Sequence, residues 1–136
     1  MKKIVITVMC IMIILFASGC GSPQLDEAFD EELVKEQAES IISLINKKNY
    51  DSVVELERDD LKEALSKEIL EEVMTPIIDE CGTFQEYSKI TVLGQTDKSS
   101  NEAIAVAVCQ CKYENASKIY TISFDKELKI IGLYVK

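Results

Sequence analysis

The sequence contains no histidine. That absence removes Ser-His-Asp and Cys-His catalytic arrangements and every imidazole-based metal site. Glycine is scarce too: of five, Gly19 and Gly21 flank Cys20, which leaves no glycine-rich loop to cradle a phosphate. Basic residues are outnumbered, with 15 Lys and Arg against 24 Asp and Glu and a net charge of −9. Without clustered cations the chain is not expected to bind nucleic acid, nor is its folded part expected to lie on an anionic lipid surface. Acidity of this kind serves solubility, or turns an acidic face toward a basic partner. There is no internal repeat and no low-complexity tract.

What is present begins with the first twenty residues. Met1-Lys2-Lys3 gives a positive start, Ile4 to Phe16 is an almost unbroken apolar run, and Ala17-Ser18-Gly19 leads into Cys20. This is the layout of a secretory signal. The run reaches only roughly 20 Å as a helix against a hydrocarbon core of ~30 Å, and Ser18 to Pro23 would break any continuation. The end of the stretch resembles the lipobox of bacterial lipoproteins, with Ala17 where leucine is commonest. The resemblance implies cleavage between Gly19 and Cys20, lipid on Cys20, and a protein held on the extracytoplasmic face of a bacterial cell membrane. The expected organisation is a signal peptide over 1–19, a lipidated tether over 20–25 and one domain over 26–136. Losing Lys2 and Lys3 takes the net charge to about −11, and a chain of this length buries roughly two-thirds of its unfolded surface without needing a metal or a disulfide.

Five cysteines then become three in the folded part: Cys81, Cys109 and Cys111. A disulfide is permitted outside the cytoplasm, as Cys81–Cys109 or Cys81–Cys111, with one thiol left over. Cys109 and Cys111 share a strand face about 6.5 Å apart, near the outer limit for bridging. Buried thiols acting as small hydrophobes are the simpler expectation. Three thiols with no fourth ligand at a suitable spacing do not make a zinc pattern, and no metal or other cofactor is expected.

Periodicity places helices first. Ser22-Pro23 suits an N-cap and first helical position, and Phe29, Leu33, Val34, Ala38, Ile41, Ile42 and Ile45 give one apolar face from Asp26 to Asn46. A short helix follows over Tyr50 to Leu56, and Asp60-Leu61-Lys62-Glu63 reads as a capping box opening another turn or two. From Ser66 to Cys81, Ile69, Val73, Ile77 and Cys81 recur every four residues, flanked by Leu70, Met74 and Ile78. Gly82 stands at the C′ position, and Pro76 should bend this helix without ending it. Beyond Gly82, the segments Ser88–Gln95, Ala103–Tyr113, Ile119–Phe124 and Lys129–Val135 are rich in β-branched and aromatic residues. The short polar turns between them favour an antiparallel meander. Asn115-Ala116-Ser117 matches a glycosylation sequon but is read as one of these turns. Ile90 and Val92, and Tyr120, Ile122 and Phe124, alternate with polar neighbours. Ala103 to Cys111 is apolar on both faces, the mark of a covered central strand or of an outer sheet face that meets a second copy of the protein.

The architecture expected is therefore α+β, three N-terminal helices on a curved four-stranded antiparallel sheet. Asn49-Tyr50-Asp51-Ser52-Val53-Val54, Leu61 to Leu70, Cys81-Gly82-Thr83-Phe84 and Lys129-Ile130-Ile131-Gly132-Leu133-Tyr134 resemble the domain-of-unknown-function 3887 family, over roughly residues 30 to 136. That family is placed in the nuclear-transport-factor-2-like superfamily. The resemblance implies a cone-like fold, often with a pocket between helices and sheet, and no assigned activity. In such a cavity some relatives in the superfamily use a carboxylate base with a tyrosine donor. Tyr113, Tyr120 and Tyr134 are the candidate cavity tyrosines here, and Glu86, Glu102 and Glu114 lie at strand ends. With no carboxylate placed mid-strand, the expectation is a non-catalytic module that binds a small ligand or a peptide in its cavity. A small isomerase- or hydratase-like enzyme, or a module that dimerises or docks an envelope protein, are the alternatives.

Overall fold

The computed structural model describes residues 24–136; the leader, Cys20 and the Ser22-Pro23 pair lie outside the described residues. Among the described residues three helices precede a four-stranded antiparallel sheet of order β1-β2-β3-β4, so the architecture is α+β. The elements are α1 (Glu31–Asn46), α2 (Tyr50–Glu55), α3 (Lys67–Cys81), β1 (Phe84–Thr96), β2 (Ala103–Tyr113), β3 (Ser117–Phe124) and β4 (Ile130–Val135).

α1 starts five residues later than the apolar spacing predicts. The Asp26 carboxylate accepts from the Ala28 N–H and its carbonyl from the Phe29 N–H, which winds a separate turn. Asp30 then caps the helix by accepting from the N–H groups of Glu32 and Leu33, satisfying donors that the first turn leaves open. Asn49 and Ser66 cap α2 and α3 in the same way. The capping box expected at Asp60 does not form. Arg58 grips the Asp60 carboxylate through two bonds of 2.7 and 2.8 Å, so that side chain is not available as a cap, and residues 59–65 remain turns.

α3 carries through Pro76 to Cys81 as expected, and its inward face is the row Leu70-Met74-Ile78, joined at the last turn by Cys81. Leu70, Met74, Ile78 and Cys81 are buried, whereas Ile69 and Val73 are 39% and 53% exposed. Two adjacent i, i+4 rows on a helix lie about 100° apart per residue, and the sheet selects only one of them. Gly82 ends the helix at φ 76°, ψ −152°, a conformation essentially restricted to glycine.

β1 begins at Phe84, four residues ahead of the predicted Ser88. Register irregularities between Phe84 and Glu86 and between Tyr87 and Lys89 disturb its alternation, so a period of two does not reveal this part. The β2–β3 turn is joined to the end of α3: Asn115 N–H donates to the Cys81 carbonyl and Glu114 N–H to that of Thr83.

The core lies between the helices and one sheet face. Val34, Ala38, Ile41, Ile42 and Ile45 of α1 meet Ala105, Ala107, Cys109 and Cys111 of β2 and Tyr120, Ile122 and Phe124 of β3, all essentially closed to solvent. Each large member contributes roughly 1.5–3 kcal/mol by burial. The opposite face of β2 presents Ile104 and Val108, half-buried, and Val106, buried. At one end of the sheet the main chain of Gln24 and Leu25 crosses directly over Gly94, where a Cβ would come within 1.9 Å of the Gln24 carbonyl oxygen.

Candidate functional site

A cleft of about 350 Å³ opens where the C-terminal end of α1, the end of α3 and the start of β1 converge. Phe84, Tyr87 and Tyr113 form its aromatic wall; Ser43, Asn46, Lys47 and the Gly82-Thr83 main chain supply polar groups. The Phe84 ring packs against Tyr87 at 4.8 Å and edge-on to Tyr113 at 5.5 Å, geometries that hold aromatic rings in fixed positions. The early start of β1 is what brings Phe84 and Tyr87 to this wall.

Below the wall runs a chain of hydroxyls. Tyr113 donates to the Asn46 side-chain oxygen at 2.7 Å, and its oxygen lies 2.8 Å from the Tyr120 hydroxyl. A phenol has one proton to give, so with Tyr113 committed to Asn46, Tyr120 is the donor in the second bond. Burial pushes the Tyr113 phenol up to about 12, partly offset by the bond received from Tyr120. Burial raises Tyr120 further, helped by its bond to Tyr113, and burial likewise raises Tyr87, whose hydroxyl donates to the Glu39 carbonyl at 3.1 Å. These are neutral phenols suited to donating hydrogen bonds.

The three proposed cavity tyrosines therefore separate. Tyr113 is at the cleft. Tyr120 is fully buried in the core behind it and supports Tyr113 without lining the opening. Tyr134 is 63% exposed: it pairs with Thr121, on the face opposite to that of Tyr120 and Ile122, and does not line this cleft. Glu86, Glu102 and Glu114 are exposed at strand ends as expected, with Glu102 3.7 Å from Arg58.

Cys81, Cys109 and Cys111 are buried free thiols, with no disulfide among them. Desolvation raises Cys81 and pushes Cys109 up to about 11 and Cys111 up to about 12. They stay protonated and behave as small apolar side chains. Among the described residues no cluster of His, Cys, Asp or Glu has the arrangement of a metal site, and no helix is long and apolar enough to cross a membrane.

One titratable residue escapes the sequence reading. Glu57 is 1% exposed, and neither carboxylate oxygen has a hydrogen-bond partner. Desolvation pushes its carboxyl up to about 7, opposed in part by Lys62. In the run Glu57-Arg58-Asp59-Asp60 it looks like part of a solvated charged loop. Glu57 lies past the end of α2, in the parallel bridge to Ile130, so helical spacing gives no sign of its burial. Glu57 does not line the cleft.

The profile of the family described as "Protein of unknown function (DUF3887)" matches residues 38–133. A solved structure, an NMR structure of a protein from Ruminococcus gnavus ATCC 29149, is 27% identical and superposes with a TM-score of 0.72, covering 83% of this chain and 96% of that one. No curated protein matches the chain.

Proposed function

The chain belongs to the family of proteins of unknown function DUF3887, and from that premise we propose that it is a non-catalytic binding domain tethered to the outer face of a bacterial membrane. The domain is read as a cone-like, nuclear-transport-factor-2-like fold whose cleft takes a small uncharged ligand or a peptide side chain. The observation that carries this reading is the cleft itself, with the Phe84 ring packed on both Tyr87 and Tyr113 beside Ser43, Asn46, Gly82 and Thr83. Preformed, largely apolar concavities with a few oriented polar groups are the usual form of small-ligand sites. The phenols favour the binding reading over the enzymatic one. Their hydroxyls are engaged with Asn46, with each other and with a main-chain carbonyl, and burial holds them in the neutral form.

A blocked phenylalanine amide serves as a probe for either ligand class. Titrated into the protein, it is expected to shift the NMR resonances of Phe84, Tyr87 and Tyr113, and Phe84→Ala is expected to weaken it at least ~5-fold, about 1 kcal/mol. Binding that leaves those resonances unmoved, or is indifferent to Phe84→Ala, would overturn the cleft as the site.

The tether is tested separately. The leader and Cys20 support lipid anchoring, which needs more than one acyl chain to be firm, at ~0.8 kcal/mol for each buried CH₂. Cys20→Ala is expected to move most of the protein out of the membrane fraction of a bacterial host that processes lipoproteins. A variant that still sediments with membranes rules lipid out as the anchor.

A further inference from the structure

We propose that the groove between α3 and the free edge of β4 is a second binding site, which takes an extended, apolar and basic peptide segment of another protein as an added strand. Two features that the fold leaves partly open meet there. The first is an apolar row on α3: the exposed Ile69 and Val73, with Leu65 and the half-buried Ile77 above the core residues Leu70 and Met74, form one wall of a groove of about 220 Å³ whose other wall is Leu133, Tyr134 and Val135. The second is an unpaired strand edge. Ile119 and Lys136 exchange both main-chain bonds, and β3 pairs Thr121 with Tyr134 and Ser123 with Gly132. By antiparallel alternation, the N–H and C=O groups of Leu133 and Val135 then point away from β3. Among the described residues neither finds a main-chain partner.

The same edge already accepts a strand further back. Arg58 N–H donates to the Ile130 carbonyl, and Ile130 N–H donates to that of Leu56, a parallel bridge. That strap stops at Ile130 and leaves the remainder of β4 open. Strand addition at such an edge takes affinity from main-chain bonds and specificity from pockets for alternate side chains, and here the row on α3 supplies the apolar pocket.

Charge decides the occupant. Glu72 stands three residues after Ile69 and Glu80 three after Ile77, so both share the outward side of α3 with the apolar row. Both are exposed, and neither takes part in an ion pair among the described residues. Two exposed carboxylates on that side of α3, in a chain of net charge −9, oppose a second copy of the chain and favour lysine or arginine on the incoming strand. The groove shares no lining residue with the aromatic cleft, and the two proposals stand or fall separately.

The test uses the full chain in phosphatidylcholine nanodiscs and a short blocked peptide alternating valine with lysine. Hydrogen exchange at the Leu133 and Val135 amides is expected to slow at least ~10-fold at saturation. Val135→Pro removes an outward N–H without touching the ladder to β3, and Val73→Lys places a charge in the groove at an exposed position. Each is expected to weaken the peptide ~10-fold, about 1.4 kcal/mol. A peptide with glutamate in place of lysine is expected to bind at least ~10-fold more weakly. The proposal is overturned by protection that appears around Phe84 and Tyr113 instead, or by equal binding of the acidic peptide. It also fails if protection of Leu133 and Val135 grows with protein concentration alone, which would identify the occupant as a second copy.

Discussion

Glu57→Gln is expected to make the protein more stable at pH 8, by ~1–3 kcal/mol, and to flatten its stability between pH 5 and pH 8. In the wild type the Glu57 carboxyl is raised from 4.5 to about 7 by burial. A carboxyl with a higher pKa in the folded state binds its proton more tightly when folded, so the unfolded chain carries fewer protons across that interval. Stability is then unpenalised below about pH 4.5 and falls as the pH rises toward about 7. Above that it stays lower by up to roughly 3 kcal/mol, the worth of the shift at 1.36 kcal/mol per unit. Asp59, Asp60 and Asp97 are shifted the other way, lowered from 3.8 by hydrogen bonds from Lys62, Arg58 and Ser99 respectively. Thermal unfolding followed by circular dichroism from pH 5 to pH 8 measures the effect. A wild-type midpoint that rises across this interval, or a glutamine variant less stable at pH 8, would show that the buried carboxylate has a partner.

Gly94→Val is the second large effect, and its cause is steric. A Cβ at this position lies 1.9 Å from the Gln24 carbonyl oxygen, 2.6 Å from its carbon and 2.9 Å from the Leu25 Cα. All three are main-chain atoms, so no side-chain rotation relieves the overlap. Either β1 shifts in its pairing with β2, or the segment over it leaves. The second is the smaller change, and it exposes Leu25 and Phe29, which pack on the core; the loss is expected to be ~2–4 kcal/mol. Limited proteolysis distinguishes the two routes: cutting between residues 24 and 30 becomes fast while the sheet remains resistant. Unchanged stability and unchanged cutting would show that the crossing is not there in solution.

The elements that could be read without coordinates are those in which a single period holds. α3 was bounded by Ser66 and Gly82 because the cap residues and the i, i+4 spacing agree, and β2, β3 and β4 follow from β-branched runs between polar turns. Which row of α3 faces inward is not legible, since Ile69-Val73-Ile77 and Leu70-Met74-Ile78 are equally apolar and only packing against the sheet chooses between them. The side of β4 that Tyr134 takes is hidden for a related reason. The side of β4 depends on its register, and a shift between Ser123 and Phe124 has no signature in composition. The aromatic wall was half legible: Tyr113 follows from the alternation of β2, but Phe84 and Tyr87 lie in the irregular part of β1. The buried state of Glu57 depends on the strap from Leu56 to Arg58 pairing with Ile130, a contact between residues more than seventy positions apart.

The crossing of Gln24 over Gly94 also sets how the molecule would stand. Gln24 stands four steps along the chain from Cys20, and at ~3.5 Å each they reach no more than about 14 Å. With the proposed acyl chains on Cys20, the Gly94 end of the sheet is thus held within that height of the lipid headgroups. Gly94 lies opposite Ala105 and Phe84 opposite Tyr113, eight residues further along β2 and about 27 Å away at the rise of a strand. The aromatic cleft would then sit at the far pole, lifted clear of the bilayer and facing whatever diffuses in from the cell's surroundings.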